Sequence, residues 1–369
     1  VMLRAIQGIY MLRPVWAVLL SLLAGAGLIA IAGVNPGEAY AALFGGAFLD
    51  YYGLSSTLAK MSPILLAGLA VIIPLRVGLL NIGAEGQIYM GGLFSSMAAL
   101  LLPEMSPVVQ VPLCVLAGAL GGGLWGLIPG YLKAYRGINE VIITILLNFI
   151  AINLVSYVAG GPMMQEGAPY PYSEEIREGL WLPYIMPQTD AHLGVVVGIV
   201  LCVVAWFVFR FTTVGFGLGM IGKNPVAATY SGIRVRRNVV AVMFVAGAIG
   251  GLAGTFEVLG LKHRLYHLFS PGYGFDGIVV AFLAQLSPLM APVAAFFLSG
   301  LKVGGLIMQR AVGLESTVVE AIQGLVIIFV AASLAFRFDR GNWRRFLERR
   351  RLLDAGIAGG ITNNSGGRS

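Results

Sequence analysis

The chain has 369 residues, 58% of them apolar and 11% charged, with a formal net charge of +7, whereas soluble proteins average about 25% charged and 45–50% apolar residues. So few charges cannot cover a soluble fold of this size, which excludes soluble enzymes and soluble binding modules and points to a chain that crosses a membrane repeatedly. The basic excess gathers in short loops between apolar runs, a pattern of membrane orientation rather than of nucleic-acid binding.

In chain order, runs apolar enough to cross a hydrocarbon core of about 30 Å fall near residues 14–33, 62–77, 82–102, 111–131, 139–160, 192–211, 239–259, 276–289, 291–309 and 318–336. They predict an all-α polytopic fold of about ten spans, a single transmembrane domain over residues 1–340 followed by a basic, flexible tail over 341–369. The first run follows Arg4 and Arg13 and lacks a small-residue cleavage pattern, so it reads as a retained helix rather than a signal peptide. Cys114 and Cys202 fall inside predicted spans, where a thiol serves as a small apolar group, so they carry no redox signal. The 51 glycines fit a bundle whose helices approach closely.

Orientation follows from the cations. With the N-terminus inside, the cytoplasmic segments collect Arg76, Lys133, Arg136, Arg210, Lys223, Arg234, Arg236, Arg237 and the tail from Arg337 to Arg368. The opposite side receives the acidic loop 165–190, with Glu166, Glu174, Glu175, Glu178 and Asp190. The positive-inside rule therefore places both termini in the cytoplasm.

Acids inside spans cost about 2.5–3.5 kcal/mol at a helix centre and so normally face protein or water. The first polar interruption is "LLNIGAEGQIYMGG", residues 79–92, with Asn81, Glu85 and Gln87 at the start of the third span. In "INEVIITILLNFIA", Glu140, Thr144 and Asn148 are spaced i, i+4, i+8 on one face of the fifth span, with Phe149 beside them. That stripe suits a cavity lining or hydrogen bonding between helices. The second interruption, "PGYGFDGIVVAFLAQ", residues 271–285, opens the eighth span and holds Phe275, Asp276 and Gln285. Both interruptions carry glycine, any residue, an acid, glycine: Gly83 to Gly86 and Gly274 to Gly277. They occupy corresponding positions if ten spans divide five plus five, and an odd number per half makes the halves inverted. Glu257, Glu320 and Lys302 are further charged positions within spans. Broken backbone at the two interruptions, around a pathway or gate, is the expectation.

The loop 212–238 contains "GLGMIGKNPVAA", in which Gly217, Gly219 and Gly222 fit one nucleotide motif and Gly217, Gly222 and Lys223 another. Asn224 stands where a magnesium-binding hydroxyl is needed, and a membrane span precedes the glycines instead of a buried strand. The residues read better as a short surface helix with Asn224 as N-cap, Pro225 first, Ala227 and Ala228 within, and Gly232 as stop. His263 and His267, four apart, lack a third ligand, so no metal and no cofactor is expected.

The stretches "NIGAEGQ", "INEVIITILLNFIA", "GKNPVAATYSGI" and "GFDGIVVAFLAQLSP" resemble, in order over about residues 60–335, the permeases of bacterial ABC importers for nucleosides, within a wider group that takes simple sugars and branched-chain amino acids. Leu80 replaces a phenylalanine before the first motif, and "FLAQLSP", Phe282 to Pro288, stands where related permeases often read "LLGRNNP". The resemblance implies a subunit of the cytoplasmic membrane that works with a second permease as a heterodimer, an ATP-binding subunit and an extracytoplasmic binding lipoprotein. It also implies that Gly222 to Ile233, with Lys223, Asn224, Pro225, Ala227, Ala228 and Gly232, is the helix that docks on the ATPase. Competing readings are a ribose-like sugar importer, an ion-coupled transporter using Glu85 or Asp276, and a membrane enzyme using the histidines.

Overall fold

A computed structural model describes residues 13–335, so the tail 341–369 lies outside the described residues. Within these limits regular structure is helical, with three isolated β-bridges. The helices are α1 (Arg13–Ile31), α2 (Pro36–Phe44), α3 (Tyr51–Leu75), α4 (Ala84–Leu101), α5 (Pro107–Arg136), α6 (Glu140–Ala159) and α7 (Gly194–Phe211). They continue with α8 (Thr213–Lys223), α9 (Pro225–Tyr230), α10 (Val235–Glu257), α11 (Tyr273–Leu283), α12 (Ala291–Val312) and α13 (Ser316–Ala335). Among the described residues six helices have the length and hydropathy to cross a membrane: α3, α5, α6, α7, α12, and α10 with its π-helical extension to Lys262. The chain is therefore a multi-pass membrane protein.

Several boundaries differ from the sequence expectation. The second span starts at Tyr51, not near 62, because Asp50 caps the helix by accepting the Gly53 N–H at 2.8 Å. The eighth span is an 11-residue helix, about 16 Å long at 1.5 Å per residue, which reaches about halfway across a hydrocarbon core. The loop 212–238 is mostly helix, as α8 and α9.

Helix α3 is the axis of the molecule, buried nearly along its length and packed against α7, α10, α11 and α12. The tightest packing lies beside it, where α10 crosses α4 and α5. Gly251 is what permits that crossing, since a Cβ there would strike the Gly118 carbonyl oxygen and approach Gly122 Cα at 3.0 Å. Glycine lets backbones meet where no hydrophobic drive separates helix from lipid. Gly251→Leu is therefore expected to lower the thermal unfolding midpoint of the solubilised protein, by at least the ~1–3 kcal/mol typical of overpacking. Gly27→Leu, at a position with open space around it, should leave that midpoint unchanged.

Candidate functional site

The two glycine-acid interruptions meet. Glu85 in the first turn of α4 accepts the Gly274 N–H of α11 at 2.6 Å. A helix start has unpaired N–H groups and a partial positive charge, and the buried Glu85 carboxylate answers both. Gly274 must lack a side chain, because a Cβ would overlap the Glu85 backbone nitrogen. Two residues further along α11, Asp276, also buried, pairs with Lys302 of α12 at 2.6 Å.

Before α4 the chain is not helical over residues 79–82, and side chains replace the missing backbone bonds. Asn81 and Gln87 exchange two amide hydrogen bonds, at 3.1 and 3.2 Å, and Asn81 also donates to the Ala70 carbonyl and accepts the Gly83 N–H. From α6, Asn148 accepts the Gly86 N–H at 2.8 Å and donates to the Ile82 carbonyl at 2.9 Å. Glu140 and Thr144 share the buried face of α6 with Asn148. Their bonds differ: Thr144 donates to the Glu140 carbonyl one turn back, and the Glu140 carboxylate pairs with Lys133 at the end of α5, 2.7 Å away.

The remaining named positions stand apart. Phe149 is 62% exposed and Phe275 49% exposed, both on outward surfaces. Gln285 lies on a left-handed turn after α11, at φ +51°, beside an apolar groove of about 570 Å³ that includes Val18, Leu283 and Phe297. The expected span over 276–289 would hold Gln285 within a helix, but α11 ends at Leu283.

Two further charged residues join the cluster: Glu257, which the sequence marks as a charge within a span, and Lys60, which it does not. Glu257 is fully buried at the end of α10 and accepts from the Tyr273 hydroxyl at 3.4 Å. Lys60 of α3 lies within electrostatic reach of Glu257, Asp276 and Lys302. Lys60 escaped because the expected span began two residues after it; the Asp50 cap was the available signal.

On the acidic side, residues 160–193 fold back over the segment after α10. Ile176 N–H donates to the His263 carbonyl at 2.8 Å, Leu182 N–H to the Leu259 carbonyl at 3.1 Å, and Arg264 bonds Glu175 and Gln165 at 2.6 and 2.8 Å. The two histidines four apart diverge, because the backbone turns left-handed at His263. His263 stacks on Trp181 with centroids 3.8 Å apart and meets the Tyr184 hydroxyl, whereas His267 bonds Ser156 of α6 at 2.7 Å. Burial lowers the His263 pKa, and burial with the nearby His263 pushes the His192 imidazole down to about 4, so both are neutral at pH 7.

At the basic end, Asn224 caps α9 by accepting the Val226 and Ala227 N–H groups at 3.0 and 3.1 Å, and Gly232 closes the segment at φ +80°. Gly217, Gly219 and Gly222 lie inside α8, where helical bonding occupies the amides that a phosphate cradle would need free. Gly222 packs on the Arg76 carbonyl at the end of α3. Ala228 is 0% exposed within the chain itself, so it is not a surface residue; Val226 and Tyr230, 62% and 89% exposed, form the outer face of α9.

The model of the family described as branched-chain amino acid transport system, permease component, matches residues 53–331. The chain belongs to this family. Guanosine ABC transporter permease protein NupP of Bacillus subtilis is 35% identical over 91% of this chain and 97% of its own length. Glucose ABC transporter permease protein TsgB13 of Haloferax volcanii is 34% identical over 89% of this chain and 91% of its own. Nucleoside ABC transporter permease protein NupB of Lactococcus lactis is 30% identical over 87% and 90%. No solved structure matches significantly.

As a permease component the chain is not itself an enzyme, and it works with an ATP-binding subunit and a substrate-binding protein. The readings as a membrane enzyme or an ion-coupled transporter are thereby set aside. The permease holds its interior acids in bonds to backbone amides, lysines and a tyrosine. Such a network stabilises a broken-helix interior.

Proposed function

We propose that this permease forms the translocation pathway for nucleosides delivered by an extracytoplasmic binding lipoprotein, driven by ATP hydrolysis on a separate subunit. The carrying observation is similarity over nearly the whole chain to permeases named for guanosine and for nucleosides. The proposed pathway residues are Asn81, Glu85, Gln87, Glu140, Thr144, Asn148 and Asp276, and we include Lys60 and Glu257 with them because they neighbour Asp276 and Tyr273. Phe149 and Phe275 face outward from this subunit and reach the solute only where a second, different permease subunit closes the pathway; Gln285 stands outside it.

The proposed architecture is ten spans in two inverted halves of five, with both termini on the cytoplasmic side of a bacterial cytoplasmic membrane. In support, α3 packs on α11 and α10 packs on α4, the exchange of second and third spans that a two-fold relation produces. The single transmembrane domain of residues 1–340 includes α8 and α9 as the ATPase-coupling region, with Gly222, Lys223, Asn224, Pro225 and Gly232 shaping it and Ala227 at its surface.

A sugar permease is the second reading, favoured by the comparable similarity to a glucose permease. Reconstitution with the partner subunits and binding protein, followed by uptake of labelled guanosine, other nucleosides, ribose and glucose, separates the two. ATP-dependent guanosine uptake, inhibited by other nucleosides but not by sugars, is expected; uptake of sugar alone would replace the nucleoside reading.

A further inference from the structure

Residues 76–79 connect the end of α3 to the non-helical stretch before α4, and the α8–α9 region closes on them from both of its ends. From one end, the last turn of α8 sets Gly222 against this connection, backbone on backbone. A Cβ on Gly222 would overlap the Arg76 carbonyl oxygen and come within 3.2 Å of the Val77 carbonyl carbon. Gly78, at φ +81°, completes the contact; a Cβ there would stand 3.6 Å from Gly222 Cα. From the other end, α10 follows α9 and places Val239 and Met243 in one buried cluster with Leu79, with Val235 packed against it.

The connection is stiff on its outer side. Asn224 alone separates α8 from α9, and its side chain caps α9 through the Val226 and Ala227 N–H groups, so a short, capped link joins the two helices. The Arg76 guanidinium lies over the Phe209 ring, 4.6 Å from its centroid, which ties the end of α3 to α7 as well. Where backbone meets backbone, no side-chain rotamer is present to absorb a displacement. Inward of Gly78 the chain is more compliant, because residues 79–82 are not helical. In that stretch Asn81 bonds Gln87 and the Gly83 N–H, and the helix so anchored carries Glu85 to the Gly274 N–H.

We infer that Gly222 is a positioning residue for transport. Its contact with residues 76–78 sets the place of the stretch 79–82 and, through Asn81, that of Glu85 against Gly274. Displacement of α8 and α9 therefore enters the polar network at this joint, next to the interrupted backbone, rather than along the length of a continuous span. The glycine is required because any larger residue would wedge α8 away from the Arg76 carbonyl and leave the joint loose. The inference rests on the reading of α8 and α9 as the ATPase-coupling region and is independent of the solute carried.

The test compares Gly222→Ala with Gly219→Ala, which adds the same methyl group to the same helix where nothing lies within 4 Å. Both are assembled with the partner subunits and binding protein in proteoliposomes, and uptake of labelled guanosine or glucose, whichever the wild-type complex carries, is measured per ATP hydrolysed. That ratio should fall about fivefold or more in Gly222→Ala and stay at the wild-type value in Gly219→Ala. Damage to folding alone lowers uptake and hydrolysis together and leaves the ratio unchanged. Hydrogen exchange of the wild-type complex needs neither variant nor solute. A non-hydrolysable ATP analogue is expected to change exchange across residues 76–83, while the ATP-binding subunit protects α9. This measurement decides by itself if Gly222→Ala fails to reach the membrane. A wild-type ratio in Gly222→Ala, an equal fall in Gly219→Ala, or a protected α9 with no response at 76–83 would each overturn the joint. An α9 left unprotected by the ATP-binding subunit would instead refute the coupling-region reading, and the joint would fall with it.

Discussion

Val226→Glu is expected to leave a folded permease in the membrane and to abolish transport together with substrate-stimulated ATP hydrolysis. Val226 and Tyr230 lie one turn apart on the outer face of α9 and are exposed in the chain alone. If that face docks on the ATP-binding subunit, glutamate places an unpaired charge in the interface, at a cost of about 3 kcal/mol or a hundredfold in affinity. Ala228→Glu, two residues away, should behave differently. Ala228 is buried inside the permease, so the carboxylate would be forced into the fold and the protein should be depleted from the membrane. Membrane yield, uptake and ATPase activity measured together in proteoliposomes distinguish the cases. Normal coupling in Val226→Glu, or saturable ATP binding by the permease alone, would refute the docking role of α9.

The second large effect is expected at the Asp276–Lys302 pair. Lys302→Met leaves a buried carboxylate without its cation, which typically costs about 3–5 kcal/mol, and should lower the unfolding midpoint sharply. Combining it with Asp276→Asn removes both charges, and most of the lost stability should return. Because Asp276 starts α11 beside Glu85 in the proposed pathway, the doubly substituted permease is expected to be stable yet transport poorly. Wild-type uptake by that variant would make the pair purely structural.

The features legible in the sequence are those that short segments specify by themselves. Hydropathy and the positions of the cations identify a membrane protein, because the cost of placing a charge in hydrocarbon acts on each segment separately. The Asn224–Pro225 start of α9 follows from local capping chemistry, and the common face of Glu140, Thr144 and Asn148 follows from the helical period alone. The two glycine-acid motifs are equally visible, although each stands at the start of a helix and the irregular backbone lies before it rather than within it.

What the motifs do to one another was decided by tertiary structure. Glu85 and Gly274 are 189 residues apart, and only the crossing of α4 and α11 joins them. Lys60 comes to lie half-buried beside the cluster because the packing of α3 buries Ser55, Thr57 and Ala59, in a segment whose serine, threonine and lysine content reads as a flank in an average over a span-length window. Ala228 turns inward although its neighbours Ala227 and Thr229 turn outward, a choice of helix face that depends on what the helix leans against. His263 and His267 separate for a related reason: their spacing matches a helix, but the chain between them is tied to Trp181 and Ser156 on different elements. Local free energies set the class of the fold and the starts of its helices, while the pairing of distant polar groups is fixed only when whole helices select their packing partners.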